Sequence, residues 1–242
     1  TAGVAALVAA VVLGPRRGFP TTAMPPHNMT MTVMGAGMLW VGWVGFNGGR
    51  ALAAKGDAAM AMLVTPLSAA AGAMVWMSME WIRFGKPSAL GAVTGMVAGL
   101  GTITPASGFV GPGGALIIGI LAGFTCFNAT LYIKRVLKID DSLDVFPVHG
   151  VGGALGTLMA GVFSATGLGV FSGYGFADGI SSMGGQLYVQ FIGVIATVVF
   201  TAVMTWVILK VVGALLGLRV SEEEETQGLD ITMHEERGYD DL

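Results

Sequence analysis

The sequence predicts an all-α polytopic membrane protein, a bundle of one partial and six full transmembrane helices. Of its 242 residues, 54% are hydrophobic and only 11% are charged, and the mean hydropathy is +0.75. Soluble domains carry about 25% charged residues, and no soluble core could bury this much apolar surface. The 39 glycines give a second indication, because small residues let helix backbones approach closely in lipid.

Seven apolar runs define the predicted helices. A transmembrane helix needs about 20 mostly apolar residues. The run 3–13 is too short to span and has no basic n-region, so it indicates a truncated helix rather than a signal peptide. The other six predicted spans are 29–49, 58–81, 89–105, 111–133, 145–166 and 185–216. The last of these is long, so we expect it to tilt or to project from the bilayer.

The distribution of charge divides the chain into two parts and predicts its orientation. Residues 1–216 hold 10 Lys/Arg and 6 Asp/Glu, whereas residues 217–242 hold 2 and 9. We therefore expect a partial transmembrane transporter domain at 1–216, without its N-terminal half, and a C-terminal tail at 217–242. The bare composition of the tail favours disorder.

Basic residues occur in alternate loops, which predicts that these loops are cytoplasmic. Counting spans from them makes the protein a multi-pass cell-membrane protein with a cytoplasmic tail. The predicted cytoplasmic segments are 15–28, 82–88, 134–141 and 217–242. The basic residues that lead to this prediction are Arg16, Arg17, Arg83, Lys86, Lys134, Arg135 and Lys138.

Several classes of function are excluded by what the motifs lack. The glycine-rich strings at 150–156 and 111–114 have neither the preceding strand nor the acidic residue of a dinucleotide site. Ser172 lies in a glycine-rich polar loop, whereas an intramembrane hydrolase needs its nucleophile and base together at membrane depth, so an enzyme is not expected. The single Cys126 excludes an intramolecular disulfide and a thiolate metal cluster. We expect no cofactor, no metal and no nucleic-acid partner.

The informative residue is His149, an ionisable group inside the predicted span 145–166. Such groups are costly in a membrane and by default functional, although a packed imidazole bonded to a backbone carbonyl is the alternative. Asp140, Asp141 and Asp144 begin the same span, where carboxylates cap helix N-termini. With no carboxylate in mid-span, a cationic substrate would cross as a neutral molecule and a proton, with His149 as a relay.

Eight strings, in order and along nearly the whole chain, resemble those of the ammonium transporter (Amt/Mep/Rh) family, in its bacterial Amt type. They are Pro-Pro-His-Asn (25–28), Gly-Trp-Val-Gly-Phe-Asn (42–47), Gly-Lys-Pro-Ser (85–88), Ile-Thr-Pro-Ala (103–106), Gly-Pro-Gly-Gly-Ala-Leu (111–116), Asp-Asp-Ser-Leu-Asp-Val-Phe (140–146), Val-His-Gly-Val-Gly-Gly (148–153) and Gly-Leu-Arg-Val (217–220) with Gly-Leu-Asp (228–230).

The resemblance implies an inverted-repeat bundle of eleven helices, usually a homotrimer, with one narrow hydrophobic pore per subunit. This chain would hold the end of helix five and helices six to eleven. His149 matches one member of a pore histidine pair, and the other would lie two residues before Thr1. Phe46 matches a gate phenylalanine at the outer entrance.

The resemblance also assigns further positions. Leu39, Trp43, Thr104 and Val145 would line the pathway, Thr94 would lie near its inner exit, and Asp144 and Asn47 would be structural residues near the pore. Arg50 departs from the family, because it stands at the outer recruitment position where a serine is usual.

The function implied is ammonium or ammonia transport with a histidine relay. Residues 219–230 would be ordered against the helix bundle and would bind a signalling protein of the PII type at the cytoplasmic face, and lipid would surround the bundle. Two alternatives stay open. One is an ammonium sensor or a permease of altered substrate, and the other is a non-conducting membrane scaffold that binds the regulator.

Overall fold

The computed structural model describes residues 1–238; the last four residues of the predicted tail, 239–242, lie outside this range. Within it the secondary structure is helical. The α-helices are α1 (Ala2–Leu13), α2 (Met29–Gly49), α3 (Gly56–Phe84), α4 (Ala89–Ile103), α5 (Pro112–Leu131), α6 (Gly152–Phe163), α7 (Met183–Leu216), α8 (Glu222–Gln227) and α9 (Leu229–His234). A π-helical turn, Tyr132–Val136, extends α5, and a second, Phe146–Val151, leads into α6.

Five helical segments are long and apolar enough to cross a membrane, where the sequence predicted six full spans. They are Met29–Gly49, Gly56–Phe84, Pro112–Val136, Phe146–Phe163 and Met183–Leu216. The sixth, α4, has 15 residues and is about 22 Å long, which is shorter than the ~30 Å hydrocarbon core. It ends because Pro105 has no N–H to continue the helix.

The core is built where α3 packs against α4 and α5 through small residues. A side chain at Gly99 or at Gly119 would collide with the backbone carbonyl of Ser68, so α4 and α5 approach α3 at nearly the same level. The Ser68 hydroxyl donates to the Gly99 carbonyl at 2.9 Å. Glycine thus brings three helix backbones into contact, as the composition predicted.

Two helices, α2 and α7, leave most of their apolar surface exposed. Only 6% of the most apolar 18-residue stretch of each helix is buried inside the protein. Side chains such as Met38, Val41 and Phe200 are exposed. In a bilayer these surfaces face lipid or further helices. The 34-residue α7 matches the predicted long final span.

The predicted cytoplasmic segments gather at one end of the bundle, called here the basic end (residues 14–24, 134–144 and 218–229). There, Arg16 forms a bidentate ion pair with Asp140, with N–O distances of 2.9 and 2.8 Å. At the opposite end, the Tyr174 N–H donates to the Phe109 carbonyl at 3.1 Å. The alternation predicted from loop charges is therefore present, while the side of the membrane that each end faces stays a prediction.

The tail is ordered against the bundle as far as α9, as the family resemblance implies for residues 219–230, so the disorder favoured by composition alone is wrong for this part. Ser221 and Glu224 form a reciprocal capping box at the start of α8. Arg219 donates to the Leu13 carbonyl at 3.2 Å and to Glu225 at 2.8 Å, and the Arg17 N–H donates to Glu225 at 2.9 Å. One acidic residue of the tail, Glu225, therefore links Arg219 to the backbone of Arg17, which follows α1.

Candidate functional site

The candidate site is centred on His149, which lies in the π-helical turn Phe146–Val151. Such turns are rare and are frequent at functional sites. Asp141 fixes the start of this turn, because its carboxylate accepts from the N–H groups of Val145 at 3.0 Å and Phe146 at 2.7 Å. The predicted capping role is therefore confirmed for Asp141.

The same capping prediction is wrong for Asp140 and Asp144. Asp140 is 1% exposed and pairs with Arg16, whose hydrogen bond holds the pKa of that carboxyl below its ordinary value. Asp144 pairs with Lys134 at 2.7 Å and has a φ of 56°. Both carboxylates are bound instead by cations, one from the segment after α1 and one from the π-helical turn that extends α5. The local sequence pattern could not reveal these partners.

The indole of Trp43 stacks on the imidazole of His149. Their ring centroids are 6.2 Å apart and their planes differ by 4°, an offset parallel arrangement favoured by aromatic rings. The indole N–H donates to the Thr104 hydroxyl at 2.7 Å, and that hydroxyl donates to the Leu100 carbonyl at 2.8 Å. The Trp43 ring is thereby held at one face by His149 and at its N–H edge by Thr104.

Trp43 also lies between two cavities. One, of about 560 Å³, follows the exposed face of α2 and is lined by Leu39, Trp43 and Phe46, whose spacing of four and three residues places them on one helix face. The other, of about 440 Å³, is lined by His149 and Thr104 together with Thr1 and Val4 of α1. The predicted pathway residues of α2 thus lead towards the imidazole.

Small residues keep the second cavity open around the ring. A methyl group placed on Gly101 would lie 3.5 Å from His149 Nδ1, whereas nothing lies within 4 Å of one placed on Gly153. Gly150 and Gly153 line this cavity as well. The glycines after His149, which superficially resembled a dinucleotide loop, provide space beside the histidine.

Arg50 lies at the C-terminal end of α2 and reaches across to the end of α4. Its guanidinium donates to the Thr104 carbonyl at 2.8 Å, approaches the Pro105 carbonyl at 3.5 Å and lies 5.5 Å from the centroid of the Phe109 ring. The side chain is exposed, yet its charge is held on protein groups. The contact with Thr104 connects it to the Trp43 and His149 pair.

The remaining predicted site residues lie away from this centre. Val145 borders a separate cavity of about 640 Å³ at the basic end, together with Leu13 and Arg219. Thr94 donates to the Leu90 carbonyl of its own helix at 2.8 Å and is two turns before Gly101. Asn47 is 1% exposed and donates to Thr65 at 2.9 Å, a contact that supports its structural role.

Two contacts of the site were missed in the sequence. Phe109 had no predicted role, and the hydroxyl of Thr104 was expected at the pathway without its indole partner. Both residues lie in the turn that follows α4. The sequence placed Thr104 inside the longer predicted span 89–105 and Phe109 in the loop after it. The proline at position 105 was the available signal for an earlier helix end.

Comparisons with known proteins agree on one family. A sequence model described as Ammonium Transporter Family matches residues 1–239. The chain is 44% identical over 241 residues to the ammonium transporter of Bacillus subtilis, covering 100% of this chain and 58% of that protein. It is also 44% identical over 241 residues to ammonium transporter Amt1 of Archaeoglobus fulgidus, covering 99% and 59% respectively. The chain therefore spans somewhat more than half the length of these relatives.

Solved structures give the same result for the fold. A structure titled Sensor Amt Protein superposes with a TM-score of 0.85 at 31% identity, covering 95% of this chain and 56% of that one. Saccharomyces cerevisiae Mep2 superposes with a TM-score of 0.79 at 36% identity, covering 91% and 51%. With a family match along almost its whole length and this helical architecture, the chain is a member of the ammonium transporter family.

Proposed function

We propose that this chain forms part of an ammonium transport pathway that runs past Phe46, Trp43 and His149. The observation that carries the proposal is the imidazole of His149, an ionisable group in a membrane-length segment, stacked on Trp43 and bordering a cavity. Ionisable groups at membrane depth mark substrate and proton pathways. The family membership identifies ammonium as the substrate class.

The chemistry follows from the residues along the path. Ammonium is gathered at the outer face and gives up its proton near Phe46, and ammonia then passes along an apolar channel. Imidazole is suited to relaying the proton, because its ordinary pKa of about 6.5 lets it exchange protons near neutrality. In the described residues, no carboxylate lines the cavity around His149, which favours a neutral permeant over a resting cation.

Because this chain covers 58% of the Bacillus subtilis relative, the proposed pathway includes the part of the family protein that the chain does not cover. The family carries a second pore histidine, which the resemblance places two residues before Thr1. Thr1 itself lines the cavity that contains His149, so the continuation of α1 would bring an imidazole to the same space. The functional unit is then the full-length gene product, assembled as a homotrimer in which each subunit has its own pore.

The tail is proposed to be the cytoplasmic docking segment for a PII-type regulator. Residues 219–230 are held at the basic end by Arg17, Arg219 and Glu225, beside the segments that the positive-inside rule assigns to the cytoplasm. Deleting residues 219–242 should remove regulator binding. Full binding by the truncated protein would contradict this assignment.

Transport is tested with the purified full-length gene product in proteoliposomes. An inward ammonium gradient should produce uptake, or a current if net charge crosses, that saturates with concentration and is absent from protein-free vesicles. Flux indistinguishable from that of protein-free vesicles would contradict the proposal. Since labelled methylammonium is the practical tracer, its uptake should be inhibited competitively by ammonium.

A sensor is the second candidate, favoured by one observation. The solved structure with a TM-score of 0.85 is titled Sensor Amt Protein, and the tail of the present chain is ordered. A sensor or scaffold should bind ammonium or the regulator without flux. The proteoliposome measurement, performed together with regulator binding, separates these functions.

A further inference from the structure

The groups around Arg50 form a site with the chemistry of a cation-binding cradle. The Thr104 carbonyl accepts its guanidinium at 2.8 Å, the Pro105 carbonyl lies at 3.5 Å and the Phe109 ring centroid at 5.5 Å. Carbonyl oxygens and an aromatic face both attract cations. Such a set would bind a small organic cation if no side chain occupied it.

The position of this cradle in the fold strengthens its affinity for positive charge. Thr104 directly follows α4, whose last carbonyls lack intrahelical partners and carry the negative end of the helix dipole. Helices that end at membrane depth use these carbonyls to coordinate cations in other transport proteins. α4 is about 22 Å long, shorter than the ~30 Å hydrocarbon core.

Arg50 itself has no carboxylate partner in the ion pairs of residues 1–238, which are Arg16–Asp140, Lys134–Asp144 and Arg219–Glu225. Its protein partners are the carbonyls and the ring. The Arg50 guanidinium therefore occupies this cradle as a free cation would. The Thr104 hydroxyl also binds the indole of Trp43, so the cradle adjoins the proposed pathway.

We propose that Arg50 is a tethered cation that occupies a second cation-binding site, formed by the carbonyls of Thr104 and Pro105 and the ring of Phe109. An alkylammonium or guanidinium ion is the ligand class that this site takes when Arg50 is removed. Arg50 thereby competes with external cations at the entrance and sets a low affinity for them. This inference rests on the proposed transport function only for its effect on affinity, since the cation site is defined by its own contacts.

The first test measures binding without transport. Guanidinium chloride at millimolar concentration is titrated calorimetrically into the full-length gene product, with sodium chloride at equal ionic strength as the reference. Arg50→Ala should bind guanidinium, and the unmodified protein should not. Adding Phe109→Leu to Arg50→Ala should weaken that binding several-fold. Arg50→Ser repeats the measurement if Arg50→Ala does not yield folded protein.

The second test measures affinity for the transported cation. In Arg50→Ala the half-saturating ammonium concentration should fall several-fold, and millimolar guanidinium should raise it again by competition. Lys55→Ala is the matched control, because it removes a cation from the same connecting segment without touching the cradle. Its half-saturating concentration should stay that of the unmodified protein.

The outcomes are distinguishable. If Arg50→Ala and Arg50→Ser fold but neither binds guanidinium, Arg50 only caps α4 and the inference is wrong. An equal shift in Lys55→Ala would also overturn it, by showing a general effect of surface charge. Absence of transport in every variant, with guanidinium binding retained by Arg50→Ala, would contradict the proposed function and leave the cation site supported.

Discussion

The rings of Trp43 and His149 lie nearly parallel, with planes that differ by 4°. Trp43 lines the cavity on the exposed face of α2, and His149 lines the cavity beside α6. Trp43 is held in this position by its hydrogen bond to Thr104. The orientation of the imidazole therefore depends on a residue about one hundred positions earlier in the chain. This dependence can be tested by separating the stacking from the hydrogen bond.

Trp43→Phe should retain the stacking on His149 and lose the hydrogen bond to Thr104, whereas Trp43→Leu should lose both. A single hydrogen bond contributes about 0.5–1.5 kcal/mol, so Trp43→Phe should keep measurable methylammonium uptake at a reduced rate. Trp43→Leu should lose most of it. Equal uptake by the two variants would show that the stacked ring has no part in transport.

The close contact of α6 with α4 predicts that two glycines differ in how well they tolerate substitution by alanine. A methyl group on Gly156 would collide with the Thr102 carbonyl, whereas one on Gly184 meets nothing within 4 Å. Gly156→Ala should therefore destabilise the full-length protein by about 1–3 kcal/mol through overpacking. Gly184→Ala, in the first turn of α7, should be neutral or slightly stabilising. Thermal unfolding in detergent compares the two, and equal melting temperatures would contradict the packing described.

The pair formed by Arg16 and Asp140 predicts a dependence of stability on pH at the basic end. The hydrogen bond from Arg16 holds the pKa of Asp140 below its ordinary 3.8, so the folded state favours the carboxylate. The stabilisation is complete above pH 3.8 and is lost as the pH falls through the lower folded pKa. Because one side of the pair is solvent-exposed, the loss should be no more than about 1 kcal/mol.

Asp140→Asn is the variant that checks this assignment. It should lack this acid-dependent step in its melting temperature and should resemble the acidified parent protein at neutral pH. Asp57→Asn, at the start of α3 in the opposite segment, is the matched control and should keep the step. If the Asp140→Asn variant keeps the acid-dependent step of the parent protein, the ion pair does not contribute to stability.

We expect the two ends of the bundle to be accessible to an impermeant reagent from opposite sides of the membrane in intact cells. Val170 is 81% exposed in the segment opposite to the basic end, and Val170→Cys should react with an impermeant maleimide added outside. Lys86→Cys should react only after the membrane is opened. The native Cys126 is buried and should not contribute a background. Labelling of Lys86→Cys from outside, with Val170→Cys protected, would reverse the orientation.

The sequence was sufficient for the helices and for the identity of the central residue. Apolar runs predicted α2, α3, α5 and α7 because membrane length and hydropathy are properties of local composition. His149 was found in the same way, as an isolated ionisable group in a span. The resemblance added Trp43 and Thr104 to it, and the structure brings all three together.

What the sequence did not predict depends on contacts between distant segments. Asp140 pairs with Arg16, 124 residues earlier, and Asp144 pairs with Lys134 in the preceding π-helical turn, so a local capping rule assigned both wrongly. The ordered tail was expected from the family resemblance and not from its composition, and the contact of Glu225 with Arg17, some two hundred residues earlier, required the fold. Arg50 was recognised as a departure from the family, but its contact with the end of α4 required the fold.

The most direct test of the transport account is ammonium uptake by the full-length gene product with His149→Ala, compared with His234→Ala in the exposed helix α9. Both variants remove one imidazole, but only His149 borders the cavity next to Trp43. The account predicts that His149→Ala abolishes or sharply changes the ammonium-dependent current, while His234→Ala keeps that of the parent. An unchanged current in His149→Ala, in protein of normal yield and melting temperature, would show that His149 is a packing residue and that the pathway lies elsewhere.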